Sequence, residues 1–316
     1  MKGRTFSVKT SVIISFAAFL VVLAVLLFGA YPLQLKLGNA GLVITELILL
    51  GIALVGCAVT GQKFSEMFPI KLPTARQFSG VLLIWVSMYI FSMAASAVSG
   101  MFMPERFFAA SNALNGMSVP FKLFAVAILP PICEEAVHRG LVTHFLKPVK
   151  HKWIIMLIIG LQFGILHWEP VKFLSTGIAG AFLAYVLLKS GNILLCVLMH
   201  FLTNLPAALV NTGSADFNDA VAYAPEIGMI GEINFDASVM TLSLGVSAGL
   251  FLIFSAVAPW LFYGGSVLLG NKGEVDPGRK KKVRACTAVC IASAVSGLVT
   301  VAVCFTLLVS SVMAQI

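Results

Sequence analysis

Charge is what this chain of 316 residues has least of. Only 11% of the residues are Asp, Glu, Lys or Arg, where a soluble domain carries about 25%. Hydrophobic residues make up 59%, and the mean hydropathy is +0.99. Such a composition cannot cover a water-facing surface, so the chain reads as a polytopic membrane protein. Other absences narrow the function. There is no soluble domain, internal repeat, phosphate-binding glycine loop or dinucleotide fingerprint, and no HExxH helix. The six cysteines (Cys57, Cys133, Cys196, Cys286, Cys290 and Cys304) all fall inside apolar runs. They show neither metal-finger spacing nor a disulfide framework, so they read as small hydrophobes. Cys286 and Cys290 share a helix face, but two thiols alone are a weak metal signal. The net charge of +8 does not indicate a nucleic-acid partner, because the basic residues cluster in the gaps between apolar runs.

A bilayer core takes about 20 apolar residues per helix. Nine runs meet or approach this, at roughly 11–31, 41–60, 79–100, 121–146, 153–168, 171–189, 192–210, 238–264 and 284–312. The fold class is therefore all-α, a polytopic transmembrane helix bundle of about 8–9 spans. The basic start followed by a long apolar run reads as an uncleaved first span. With the N-terminus in the cytoplasm, 17 Lys and Arg fall on the inner side and four, Lys36, Arg106, Lys122 and Lys172, on the outer side. That asymmetry satisfies the positive-inside rule. "RKKKVR" at 279–284 reads as a cytoplasmic anchor before the last span. The longest outer loop, 211–236, carries five acids and no Lys or Arg. Small residues four apart, Ser92, Ser96 and Gly100 on the third span and Gly177, Gly180, Ala181 and Ala184 on the sixth, predict close helix contacts.

Against this background "PICEEAVHRG", residues 131–140, stands out. A charged side chain at the bilayer centre costs roughly 2.5–3.5 kcal/mol. Such groups persist when paired, when lining a wet cavity, or when doing chemistry. Glu135 and Arg139, at i,i+4, share a helix face and form a natural ion pair. Glu134 lies about 140° from Arg139 around the helix. It is not neutralised by that cation and is free to serve as a general base. His138 falls one turn after Glu134, a contact read as incidental. Pro130 and Pro131 predict a kink. The fifth span carries Phe163 and His167 on one face; the seventh carries His200 and Asn204 at the same spacing. A single membrane histidine usually makes a helix–helix hydrogen bond, but three spans presenting polar groups at similar depth predict one polar cavity. The helical rise puts His167 about 21 Å from the edge near Trp153, His200 about 12 Å from the edge near Asn192, and Glu134 about 17 Å from the edge near Leu123. Kinks or tilts must therefore bring them together. Glu46, alone in the second span, reads as a helix-contact residue.

The order EExxxR (Glu134, Glu135, Arg139), FxxxH (Phe163, His167) and HxxxN (His200, Asn204), with its "KSGNILLCVLMH" lead-in, resembles the CAAX-processing and bacteriocin-processing (CPBP, Abi or Rce1-like) family of intramembrane proteases. The resemblance covers roughly 119–210. It divides the chain into N-terminal spans (1–118), a protease-like core (119–210), and an acidic outer loop with C-terminal spans (211–316). It implies hydrolysis of a peptide bond of a membrane-associated protein or peptide. In that scheme Glu134 takes a proton from water and His167 helps hold the water. His200 and Asn204 donate to the tetrahedral oxyanion. Glu135, Arg139 and Phe163 support them from behind.

The rival mechanism is a zinc site formed by Glu134, His167 and His200 with an open position. Without an HExxH helix, and with Asn204 a poor zinc ligand and a good oxyanion donor, the expected cofactor is none. Serine and cysteine mechanisms find no base–orienter pair: Cys133, Ser175 and Thr176 have no partner in the pattern. Rival functions are a transporter, whose inverted repeats are not seen, and a catalytically silent membrane scaffold. The expected partners are the lipid bilayer and a protein or peptide substrate, with no nucleic acid.

Overall fold

A bilayer offers no hydrogen bonds to the backbone, so a spanning segment must satisfy its own, and the helix does so. The computed structural model describes residues 5–112, 114, 116–209, 237–270 and 278–313. Among them each of the nine apolar runs is helical. The helices are α1 (Val8–Leu37), α2 (Asn39–Thr60), α3 (Ala75–Phe102), α4 (the composite segment 119–146), α5 (Lys152–Leu166), α6 (Phe173–Ser190), α7 (Ile193–Leu209), α8 (Ser238–Leu269) and α9 (Arg279–Met313). Six are long and apolar enough to cross a membrane: α1, α2, α3, α8, α9, and α6 with its lead-in (Pro170–Ser190); α5 and α7 are shorter apolar helices.

Local chemistry sets the helix ends. The Ser7 hydroxyl accepts from the Thr10 N–H at the start of α1. Thr74 and Gln77 form a reciprocal capping box before α3. Gly61, with φ 65°, ends α2 in the left-handed conformation that glycine adopts without a Cβ penalty.

α4 is the axis of the bundle. From Cys133 to Leu146 its side chains are buried except Glu134 and His144, which are partly exposed. The helix is broken into α-helical pieces and two π-helical stretches, Leu123–Ile128 and Ala136–Val142. The first lies directly before Pro130 and Pro131. Those prolines supply no N–H to the carbonyls of Val126 and Ala127, so the regular i→i−4 ladder fails there.

Close contacts hold the other helices around this axis. The Ser15 hydroxyl of α1 donates to the Val142 carbonyl at 3.0 Å. Gly56 of α2 leaves the space that the Leu141 side chain fills. A Cβ on Gly160 of α5 would stand 2.7 Å from the Gly177 carbonyl of α6, and one on Gly180 would stand 2.7 Å from Phe163 Cβ. The small residues of the sixth span therefore do mark a helix crossing. Ser92 of α3 donates to the Ser175 carbonyl at 3.1 Å. Glycine pairs Gly80–Gly265 and Gly249–Gly297 join α3 to α8 and α8 to α9.

The described connecting segments gather at two opposite ends. At one end His144 meets Gln62 and Lys147 reaches the Glu66 carbonyl. There too Asn192 exchanges hydrogen bonds with Lys71, and Arg76 donates to the Gly270 and Val267 carbonyls. At the other end the α1–α2 turn lies with the Arg106–Glu169 ion pair, 3.7 Å, which bridges the segments before α4 and after α5. The acidic stretch 211–236 lies outside the described residues.

Candidate active site

The buried carboxylate of Glu135 organises the polar centre. Its Oε2 approaches Arg139 Nε at 3.0 Å, with both side chains fully buried. This ion pair falls short of hydrogen-bond alignment, since neither atom finds a hydrogen-bond partner. Arg139 Nη2 donates to the Gly180 carbonyl of α6 at 3.0 Å, and the guanidinium lies 4.9 Å from the Phe163 ring centroid. The other carboxylate oxygen of Glu135 meets His200 Nδ1 at 2.9 Å. The pairing expected from i,i+4 spacing is thus present, and it carries a second job: fixing an imidazole from α7.

Phe163 is the hub of the aromatic contacts. His138, His167 and His200 have ring centroids 4.9, 4.8 and 5.8 Å from it, the first and last edge-on. The FxxxH pair on α5 therefore has a physical meaning. The ring gathers imidazoles from three helix segments, and the Phe163 backbone carbonyl accepts from His167 Nδ1 at 2.8 Å. With Nδ1–H so engaged, His167 turns a free Nε2 away from its own helix.

Glu134 points elsewhere. It lines a cavity of about 390 Å³ together with His138, His167, Trp168 and Lys172, and with Glu46 from α2 and Tyr31 and Gln34 from α1. The cavity is wide enough for several waters. Glu46 reads from sequence as a helix-contact residue, but here it faces the same cavity, with Oε2 buried and without a hydrogen-bond partner. His138, read as incidental, is buried against Phe163 and also part of the wall. His200 and Asn204 lie outside that wall. His200 and His167 nonetheless pack against the same Phe163 ring.

Asn204 shows a contact that sequence reasoning missed. Its Nδ2 donates to the Val126 carbonyl at 2.9 Å. In a regular helix that carbonyl would accept from residue 130, and in a π-helix from residue 131; both are proline. The carboxamide replaces the missing backbone donor. The "PP" and the "HFLTN" were both visible in the sequence, but only the fold shows that one answers the other.

Other chemistries find less. Among the described residues no group of three or more His, Cys, Asp or Glu side chains is arranged to hold a metal ion. The Ser175 and Thr176 hydroxyls donate to the Lys172 carbonyl at 3.0 and 2.8 Å, serving the first turn of α6. Cys133 is buried in the apolar core.

Residues 116–206 match a protein-family model described as Rce1-like, type II CAAX prenyl endopeptidase Rce1-like. The matched stretch, less than a third of the chain, runs from before α4 to near the end of α7 and contains all three motifs. It agrees with the resemblance to CAAX-processing and bacteriocin-processing proteases and supports a peptidase. No curated protein and no solved structure matches the chain.

Proposed function

From the premise of an Rce1-like segment set in a helical membrane bundle, we propose that the chain is an intramembrane endopeptidase that hydrolyses by glutamate-activated water. The observation that carries this reading is the shared cavity. Glu134, a carboxylate without a salt-bridge cation among the described residues, and His167, whose Nδ1 is held by its own helix, line one cavity of about 390 Å³ inside an apolar bundle.

In this reading the scissile carbonyl sits between the cavity, where Glu134 removes a proton from the attacking water, and the α7 residues His200 and Asn204, which stand outside the cavity wall. His167 Nε2 orients that water. His200, held by Glu135 through Nδ1, donates from Nε2 to the oxyanion. The second N–H of the Asn204 carboxamide remains for the same oxyanion while the first stays on the Val126 carbonyl. Glu134 then returns its proton to the leaving amine. Arg139 and Phe163 fix Glu135 and the rings, so the donors need no reorganisation during the reaction. The proposed mechanism uses no metal.

The test compares the membrane proteome of cells carrying the wild type with that of cells carrying Glu134→Gln. A terminal fragment present only with the wild type identifies both reaction and substrate. Equal fragments from both would refute the role of Glu134. Chelator treatment of the purified enzyme decides the metal question: loss of cleavage restored by zinc would replace the metal-free scheme.

A further inference from the structure

The candidate cavity is not centred in the bundle. Its wall runs from Glu134 and His138 to Tyr31 and Gln34 near the end of α1, Thr45 near the start of α2, and Trp168 and Lys172 in the turn between α5 and α6. These outer lining groups all lie by chain reversals at one end of the molecule, the end marked by the Arg106–Glu169 pair. Tyr31 is 60% exposed and Trp168 49% exposed. Aromatic residues of this kind favour the membrane–water boundary. Trp168 also holds φ at 54°, a left-handed conformation that costs an L-residue roughly 1–2 kcal/mol. The turn carrying His167 is thereby bent so that His167, Trp168 and Lys172 all reach the cavity.

The opposite end is the basic one. Lys63, Lys71, Arg76, Lys147, Lys150, Lys152 and Lys189 lie at or near its connections, and Arg279, Lys280, Lys281, Lys282 and Arg284 start α9 there. Among the described residues, only Lys36, Arg106, Lys122 and Lys172 are basic at the cavity end. Lys and Arg are retained on the cytoplasmic side of short loops.

We propose that the cavity opens to the extracytoplasmic face, so that the substrate is a polypeptide segment presented from that face: a translocated chain or the outer part of a membrane-anchored one. This rests on the peptidase reading for the word substrate, but the sidedness stands on charge and geometry alone. A lipid-anchored tail in the cytoplasmic leaflet meets the basic end, away from Trp168 and Lys172. The acidic side chains of the cavity, Glu46 and Glu134, then face an entrance through which water and chain arrive from outside.

Single-cysteine labelling of the full chain in intact cells tests the proposal with a membrane-impermeant maleimide. Lys36→Cys and Arg106→Cys report the cavity end, Gln34→Cys reports the cavity wall, and Lys63→Cys and Lys150→Cys report the basic end. The unsubstituted chain with its six native cysteines is the blank. The expected result is labelling of Lys36→Cys, Arg106→Cys and Gln34→Cys in intact cells, with the basic-end positions labelled only after permeabilisation. The reverse pattern, labelling of both ends in intact cells, or labelling of neither end before permeabilisation overturns the proposal. Gln34 donates to Thr45, so its variant could fail to accumulate; the two surface positions then decide. Labelling does not depend on cleavage, so a protein that labels as expected yet leaves Glu134-dependent fragments undetected refutes the peptidase reading and not the sidedness.

Discussion

Arg139→Met separates a buried ion pair from a decorative one. Arg139 and Glu135 are both fully buried, their charged atoms are 3.0 Å apart, and Glu135 also holds His200 at 2.9 Å. Removing the guanidinium leaves a carboxylate among apolar helices, deletes the hydrogen bond to the Gly180 carbonyl, and removes the cation from the Phe163 ring. Breaking one side of a buried pair costs about 3–5 kcal/mol, whereas removing both members is often close to neutral. Glu135→Gln alone should cost a similar amount, because it leaves Arg139 unpaired. The double variant Glu135→Gln/Arg139→Met should be more stable than the sum of the singles by at least about 1–3 kcal/mol. The assay is denaturant or thermal unfolding of the detergent-purified chain, followed by tryptophan fluorescence. Activity gives an independent reading. The double variant recovers stability but not cleavage, because His200 has lost its carboxylate. Additive single effects below about 1 kcal/mol, the range of exposed salt bridges, would refute the reasoning.

Further outcomes follow from particular contacts. Asn204→Leu should cost about 1–3 kcal/mol by leaving the Val126 carbonyl without a donor. In a Pro130→Ala background, where a backbone N–H returns, that cost should fall by half or more while cleavage stays lost. An unchanged cost would disprove the pairing of proline and carboxamide. Gly160→Ala should destabilise by about 1–3 kcal/mol, since its Cβ meets the Gly177 carbonyl. Gly51→Ala, with nothing within 4 Å, should be neutral or slightly stabilising in the same unfolding assay. Glu46→Leu should raise stability by about 1–3 kcal/mol, because it removes a buried oxygen with no partner, and should lower cleavage. A fall in stability would show that the carboxyl is structural.

The sequence by itself determined that this protein is a helical membrane bundle. It also singled out the ionisable residues that sit inside the apolar runs. Apolar runs of bilayer length admit one backbone solution, and ionisable groups within them are too costly to be accidental. The Glu135–Arg139 pair was legible because i,i+4 contacts are fixed by the helix alone. The small residues of the sixth span were legible for a related reason, since a side chain no larger than Ala marks where backbones approach. Other features depended on which helix neighbours which, and sequence period does not specify that. Glu46 is one turn among many on α2 until α2 packs beside Glu134. The hydrogen bond from Asn204 to the Val126 carbonyl exists only once α7 is laid against the proline-broken carbonyls of α4. Phe163 reads as an apolar residue of the motif until three imidazoles from different segments close around its ring. Tertiary packing decided these roles because each one is a contact between residues distant in the chain, set by how the helices pack.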